Sequence, residues 1–302
     1  MKIKLNEVVI GSLILLLGVL VSAGIVVADT ATSSVTVGNT APTVDLVTIN
    51  SGSTITLTEN ATTGVPITTT VSDSNGCSQI TSVIVDFYRS GVTAVSCDNN
   101  AEDNNNNCYA RVTCTVDGGA CTGGSDTDAT YTCTVPLEYY ADQTQSGTYS
   151  AETWEATITV DDGTATSTGT DTEEVNQLLA LDVTSSIAYG TVGVGTDTGA
   201  VNQTSTVTNT GNDAIDPEVS GTNMTSGGDS IAVANQEYSA TAFSHGAGTD
   251  LSGTPTRAEI DLAQPTSGTA PVTDIVLWGL AVPGGTNPGS YTGTTTFTAI
   301  LD

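Results

Sequence analysis

Six cysteines, Cys77, Cys97, Cys108, Cys114, Cys121 and Cys133, are all the cysteines in the chain, and they crowd into one stretch. An even, clustered count is what a disulfide framework needs, and no CxxC pair is present to suggest a zinc ribbon or a thioredoxin-type redox site. Cys97 and Cys108 bracket a run from Asp98 to Asn107 that is almost entirely Asn, Asp and Glu. Hard oxygen ligands at such close spacing suit calcium, and Asp73-Ser74-Asn75-Gly76 and Asp126-Thr127-Asp128 are shorter clusters of the same kind. The candidate ligands are Asp73, Asn75, Asp98 and Asp103. None of these stretches has the glycine and closing glutamate of the twelve-residue EF-hand loop. The competing reading is a solvated surface loop bounded by a disulfide. Six cysteines allow on the order of 15 pairings. The favoured set is Cys97–Cys108, with Cys114–Cys133 across an expected hairpin of residues 109–116 and 130–135, leaving Cys77–Cys121.

Residues suited to catalysis are few. His245 is the only histidine, and its neighbour Ser244 would point to the opposite face of a strand, so their adjacency makes no dyad. The small residues Gly246, Ala247 and Gly248 place His245 at an exposed, turn-prone strand end, where replacement by alanine is expected to change stability by less than about 0.5 kcal/mol. No nucleophile elbow, HExxH or nucleotide-binding glycine loop occurs. A pair of carboxylates for glycoside cleavage could come from anywhere in a fold. However, only Trp154 and Trp278 could form a sugar platform, and both lie in apolar strand contexts that suit a core. The expectation is a protein that is not an enzyme and has no catalytic residue and no cofactor beyond calcium.

The elements that must position these residues begin after an apolar run. Lys2 and Lys4 precede Val8–Val21, followed by the small residues Ser22, Ala23 and Gly24. A basic start, an apolar middle and small residues form an export signal, either cleaved after Ala23 or Ala28 or retained as an anchor. Beyond Ala28 the only basic residues are Arg89, Arg111 and Arg257, and the formal net charge of the whole chain is -28. So acidic a surface repels nucleic acid and anionic lipid, which leaves the N-terminal segment as the only expected membrane contact. Residues 29–40 are small and polar, as in a linker. The C-terminal residues Phe297–Asp302 read as a strand and form no apolar tail or LPxTG-like sorting motif, so attachment is expected through the N-terminus or through non-covalent contacts. Asn60, Asn202 and Asn223 head glycosylation sequons.

Residues 41–175 carry short runs rich in Val, Ile, Thr and Tyr, bounded by Gly, Asn, Asp and Pro. These predict strands at 44–49, 54–58, 65–71, 80–88, 109–116, 130–135 and 154–160, with one turn of helix near 136–141. Asn39-Thr40-Ala41-Pro42, Val71-Ser72-Asp73-Ser74-Asn75-Gly76 and Val160-Asp161-Asp162-Gly163 resemble the bacterial immunoglobulin-like domains of the cadherin/PKD kind. Residues 178–302 predict strands at 179–183, 187–189, 205–209, 215–219, 231–233, 258–262, 275–280 and 291–300. Here Tyr189–Gly195, Val207–Asn212 and Val282–Gly293 resemble Hydin-like and other prokaryotic surface Ig-like sandwiches. Asn209-Thr210-Gly211-Asn212 reads as a hairpin turn, and Tyr291 falls near a tyrosine-corner position.

The expected fold class is all-β, with two antiparallel Ig-like β-sandwiches in tandem after an N-terminal signal or anchor helix. The expected divisions are 1–28 (signal or anchor), 29–40 (linker), 41–175 (disulfide-stapled sandwich) and 178–302 (second sandwich). The resemblance implies an extracellular or cell-surface structural or adhesive protein, whose partners are other surface proteins, glycans or itself. One alternative is a self-assembling filament or matrix subunit of the TasA/camelysin kind, in which residues 30–37 would complete a neighbour's sheet. Another is a calcium-dependent ligand-binding module.

Overall fold

The computed structural model describes residues 29–93, 97, 105–123 and 125–302. The expected signal or anchor at residues 1–28 and the candidate ligands Asp98 and Asp103 lie outside these. The chain divides into a unit ending at Gly38 and a compact unit from Asn39 to Asp302. Residues 29–38 contain no strand and are exposed throughout. No helix among the described residues is long and apolar enough to cross a membrane.

The compact unit begins with eight strands: β1 (Thr43–Ile49), β2 (Thr63–Ser72), β3 (Ser82–Arg89), β4 (Cys108–Thr113), β5 (Thr115–Val116), β6 (Asp128–Leu137), β7 (Trp154–Asp161) and β8 (Thr166–Glu173). They form two sheets, β1-β2-β6-β5 and β4-β3-β7-β8. Alternation builds the core between them. Val65, Ile67, Thr69 and Val71 of β2 face inward toward Trp154, Ala156, Ile158 and Val160 of β7. Trp154 is fully buried, with Phe87 at 5.1 Å between ring centroids, and its indole N–H donates to the Asp142 carbonyl at 2.7 Å.

Four details depart from the sequence reading. Residues 109–116 are not one strand. β4 pairs with β3, β5 pairs with β6 in the opposite sheet, and the chain changes sheets at Cys114. Arg111, at φ 52°, and a bulge opposite it in β3 supply the bend. Residues 54–58 form no strand, although Ile55 and Leu57 are buried and Ile55 bridges Val175. Residues 136–141 form no helix, because Pro136 and Leu137 extend β6. β8 lacks large apolar residues, so no run marked it, although Asp161-Asp162-Gly163 reads as a turn before a last strand; Thr and Ser suit an edge strand with one exposed face.

Ten further strands follow: β9 (Leu181–Val183), β10 (Gln203–Asn209), β11 (Glu218–Gly221), β12 (Met224–Ser226), β13 (Asp229–Ile231), β14 (Gln236–Ser239), β15 (Thr249–Asp250), β16 (Thr256–Arg257), β17 (Thr273–Leu280) and β18 (Thr295–Thr298). A five-stranded sheet, β15-β14-β17-β10-β9, packs against β16-β11-β18, and β12-β13 is a separate hairpin. Trp278 is buried at the centre, beside Tyr238 and Phe297, and its indole N–H donates to Ser205 Oγ at 3.1 Å. The residues after Asn209 are not a hairpin turn. β10 pairs with β9 and β17, whereas β11 belongs to the other sheet, so this segment crosses between layers. All ladders between named strands are antiparallel, and the fold is all-β with two antiparallel β-sandwiches.

Candidate functional site

Asp73 and Asn75 share one loop after β2. Asp73 is buried, its Oδ1 accepts the Asn75 N–H at 2.7 Å, and its Oδ2 is buried without a hydrogen-bond partner. Asn75 Oδ1 accepts the Thr40 N–H at 2.7 Å, which fixes the chain where it enters the sandwich. The Asn39 side chain donates to Asp162 Oδ2 at 2.8 Å, and this bond holds the Asp162 carboxyl below the usual carboxylate range. Among the described residues no three His, Cys, Asp or Glu side chains are grouped to hold a metal.

The disulfides are Cys77–Cys121, Cys97–Cys108 and Cys114–Cys133, the pairing favoured from the sequence. The first anchors the loop beside Asp73. There Asp126 accepts the Thr122 and Gly123 N–H groups and the Thr122 hydroxyl, bonds that lower its carboxyl pKa.

A denser set of polar side chains joins the two sandwiches. Asp142 is buried and receives Arg89 Nε at 2.9 Å, Asn106 Nδ2 at 3.2 Å and, from the second sandwich, Gln264 Nε2 at 2.9 Å. Arg89 also pairs with Glu152 and stacks over the Tyr149 ring at 3.7 Å. Burial pushes the Asp142 carboxyl above its ordinary pKa, against the opposing pull of Arg89, Asn106 and Gln264. From the other side, Asn212 accepts the Leu178 N–H at 2.7 Å and donates to the Ala141 and Asn176 carbonyls at 3.1 Å each. Asp213 Oδ2 accepts Gln177 and Gln143. A Cβ on Gly211 would lie 2.1 Å from the Leu178 carbonyl oxygen, so this close approach requires glycine. Sequence reasoning did not single out this junction. Its signals were Arg89, a rare cation ending an apolar strand, and the Asn209–Asn212 run, which was read as a hairpin turn.

His245 is partly exposed, as expected, but a carboxylate faces it, which was not. Its side chain is only 14% exposed; Nδ1 lies 3.7 Å from Glu237 Oε1 and Nε2 lies 3.2 Å from the Asn235 carbonyl. Glu237 is itself buried, and its Oε2 accepts the Gly246 and Gly248 N–H groups at 2.8 and 3.1 Å. The loop folds back over a buried carboxylate, which the exposed-turn reading missed. No hydroxyl faces the second ring nitrogen, so the pair lacks the geometry of an activated serine.

The second sandwich is open along one side. β18 pairs only with β11 and β9 only with β10, so both are sheet edges. Between them runs a groove of about 420 Å³, bounded by Val183–Ile187 and Tyr291–Thr295 and floored by Met224 and Phe297. It continues into a second hollow of about 450 Å³ along Tyr189–Val192 and Asn287–Tyr291. No charged residue lines either one. The Tyr291 hydroxyl donates to the Asn287 carbonyl at 3.0 Å, the back-bond of a tyrosine corner.

No family model matches the sequence, and no curated protein matches it. Among solved structures the chain is similar to the chaperone–tip adhesion subunit pre-assembly complex of archaic Csu pili from Acinetobacter baumannii. The identity there is 10%, covering 82% of this chain and 96% of that one, at a TM-score of 0.33. The titin domains Z1Z2 in complex with telethonin match at 13% identity over 88% and 98%, TM-score 0.26. The C-terminal domain of the antigen I/II-family protein AspA from Streptococcus pyogenes matches at 11% identity over 86% and 95%, TM-score 0.22. Similarity this distant carries no inference about function.

Proposed function

We propose that this chain is an exported structural or adhesive component of the cell surface, without catalytic activity. One observation carries the reading: two β-sandwiches, the first closed by three disulfides, are joined by a buried, hydrogen-bonded seam at Asp142 and Asn212. A disulfide framework suits an oxidising compartment, and a rigid seam suits a part that transmits force or presents a surface. The test is surface proteolysis and labelling of intact cells that express the full chain, together with an adhesion assay. The expected result is an accessible, oxidised protein whose loss reduces attachment. An intracellular protein with reduced cysteines would overturn the reading.

A second reading, calcium binding, is favoured by the buried and unpaired Asp73 Oδ2 beside Asn75. Calcium at millimolar concentration should then raise the melting temperature above that in chelator, and Asp73→Asn should abolish the difference. Identical melting curves with and without calcium would remove this reading.

A further inference from the structure

We infer that the groove of the second sandwich is the acceptor for an extended strand, and that its occupant is residues 29–38 of a second copy of this chain. The argument starts at β18. Asp216 N–H bonds the Ile300 carbonyl at 3.1 Å and Thr222 N–H bonds the Thr294 carbonyl at 2.9 Å, so the even-numbered residues face β11. By the alternation of an antiparallel ladder, the N–H and C=O groups of Thr295 and Phe297 point away from β11 to the open edge. Beside that edge, Ile187, Tyr189, Val192, Met224 and Phe297 pack against the two apolar clusters of this sandwich but are only partly buried. A sandwich that leaves both a ladder edge and core side chains partly uncovered offers a place for an added strand.

Residues 29–38 fit that place. Val35 and Val37 are 87% and 79% exposed, among the most exposed large apolar side chains described. They fall on one face with Ala31 and Ser33, whereas Thr30, Thr32, Ser34 and Thr36 fall on the other, which is the alternation of a half-buried strand. Charge narrows the choice. On a chain of net charge -28, the groove lining carries no charged side chain, and neither do residues 30–37. The contact itself therefore brings no like charges together, and salt screens the repulsion between the two acidic copies.

Reach makes the contact intermolecular. Asn39 is bound to Asp162 at the β7–β8 turn, whereas the junction with the second sandwich lies at the opposite end of β8, where Asn176 meets Asn212. Ten residues extend to at most about 35 Å, roughly the length of one ten-residue strand pair, so the segment cannot pass its own first sandwich and also lie in the groove. Strand donation from one copy to the next is a heterologous contact, and it propagates into a ring or an open filament.

The proposal deepens the structural reading above and rests on it. Its test uses purified exported protein, so a failure of assembly and a failure of surface location are seen separately. The protein should form concentration-dependent oligomers by light scattering and negative-stain microscopy, whereas Val35→Asp/Val37→Asp should stay monomeric with an unchanged melting temperature. A groove variant, Ile187→Asp, should also stay monomeric, but mixed with the Val35→Asp/Val37→Asp protein it should give heterodimers and nothing larger. As a check independent of that variant's folding, a synthetic peptide of residues 29–38 should bind the Val35→Asp/Val37→Asp protein. The same peptide with both valines changed to Asp should bind at least about tenfold more weakly, because each buried valine contributes more than one decade of affinity. Oligomers that persist in the Val35→Asp/Val37→Asp protein would overturn the inference, as would failure of the peptide to bind.

Discussion

At the scale of single residues, the buried carboxylates matter most. Asp142 sits among three donors, and removing it strands Arg89 in a buried site with only Glu152 to answer it. Asp142→Ala should therefore lower the unfolding free energy by about 3 kcal/mol in a guanidinium titration. Its pH behaviour follows from its raised pKa, caused first by burial. A carboxyl with a raised folded pKa binds its proton more tightly folded than unfolded. Its stabilising contribution is complete below the ordinary value of about 4 and is lost as pH rises through the raised value. Asp142→Asn cannot titrate, so its stability should fall less than that of the parent as pH climbs from about 4 toward neutrality; parallel curves would contradict this. Glu237 gives a second prediction. It accepts two backbone N–H groups from the loop that carries His245, so Glu237→Ala should destabilise by about 1–3 kcal/mol and release that loop to rapid amide exchange. His245→Ala should cost about 1 kcal/mol, more than a surface site would, because the ring bridges Glu237 and the Asn235 carbonyl. Nothing in the local run Ser244–Gly248 reveals this, since the carboxylate it covers lies on β14.

At the scale of elements, what was legible was what alternates. β2, β7 and β17 each bury a row of Val, Ile, Ala or Trp, and each was expected within a few residues. The misreadings share a cause: pairing is non-local. A run such as 109–116 shows its β propensity but not its change of sheet at Cys114, because that depends on which neighbours are free. The expected Cys114–Cys133 pairing nevertheless emerged, because the two residues of β5 suffice to place Cys114 against β6. Replacing both cysteines by Ala should cost about 3 kcal/mol for the 19-residue separation, read as a shift of the guanidinium midpoint. The wild-type protein treated with reductant should show at least as large a shift, and reductant should have no effect if the cysteines were never oxidised.

At the scale of the whole molecule, the two halves proposed from sequence share a single compact unit, because the crossing segment after β10 is wired into the first sandwich. The Asn209-Thr210-Gly211-Asn212 turn chemistry was visible in the sequence, but its partner was not. The carbonyls of Ala141 and Asn176 are backbone groups that no side-chain pattern announces. Coupling across the seam rests on few side chains, and Asn212 is the central one, wholly buried and joined to Leu178, Ala141 and Asn176. Asn212→Ala would leave one N–H and two carbonyls without its amide, at about 1–3 kcal/mol for each group that water cannot reach. The substitution removes no apolar side chain from the clusters around Trp154 and Trp278, although Ala141 and Leu178, whose backbone groups Asn212 holds, pack in the first. The expected calorimetric result is one cooperative transition for the parent protein and two for Asn212→Ala, with the disulfide-closed sandwich melting last. A single transition merely shifted to lower temperature would mean that Asn212 stabilises one sandwich rather than coupling the two.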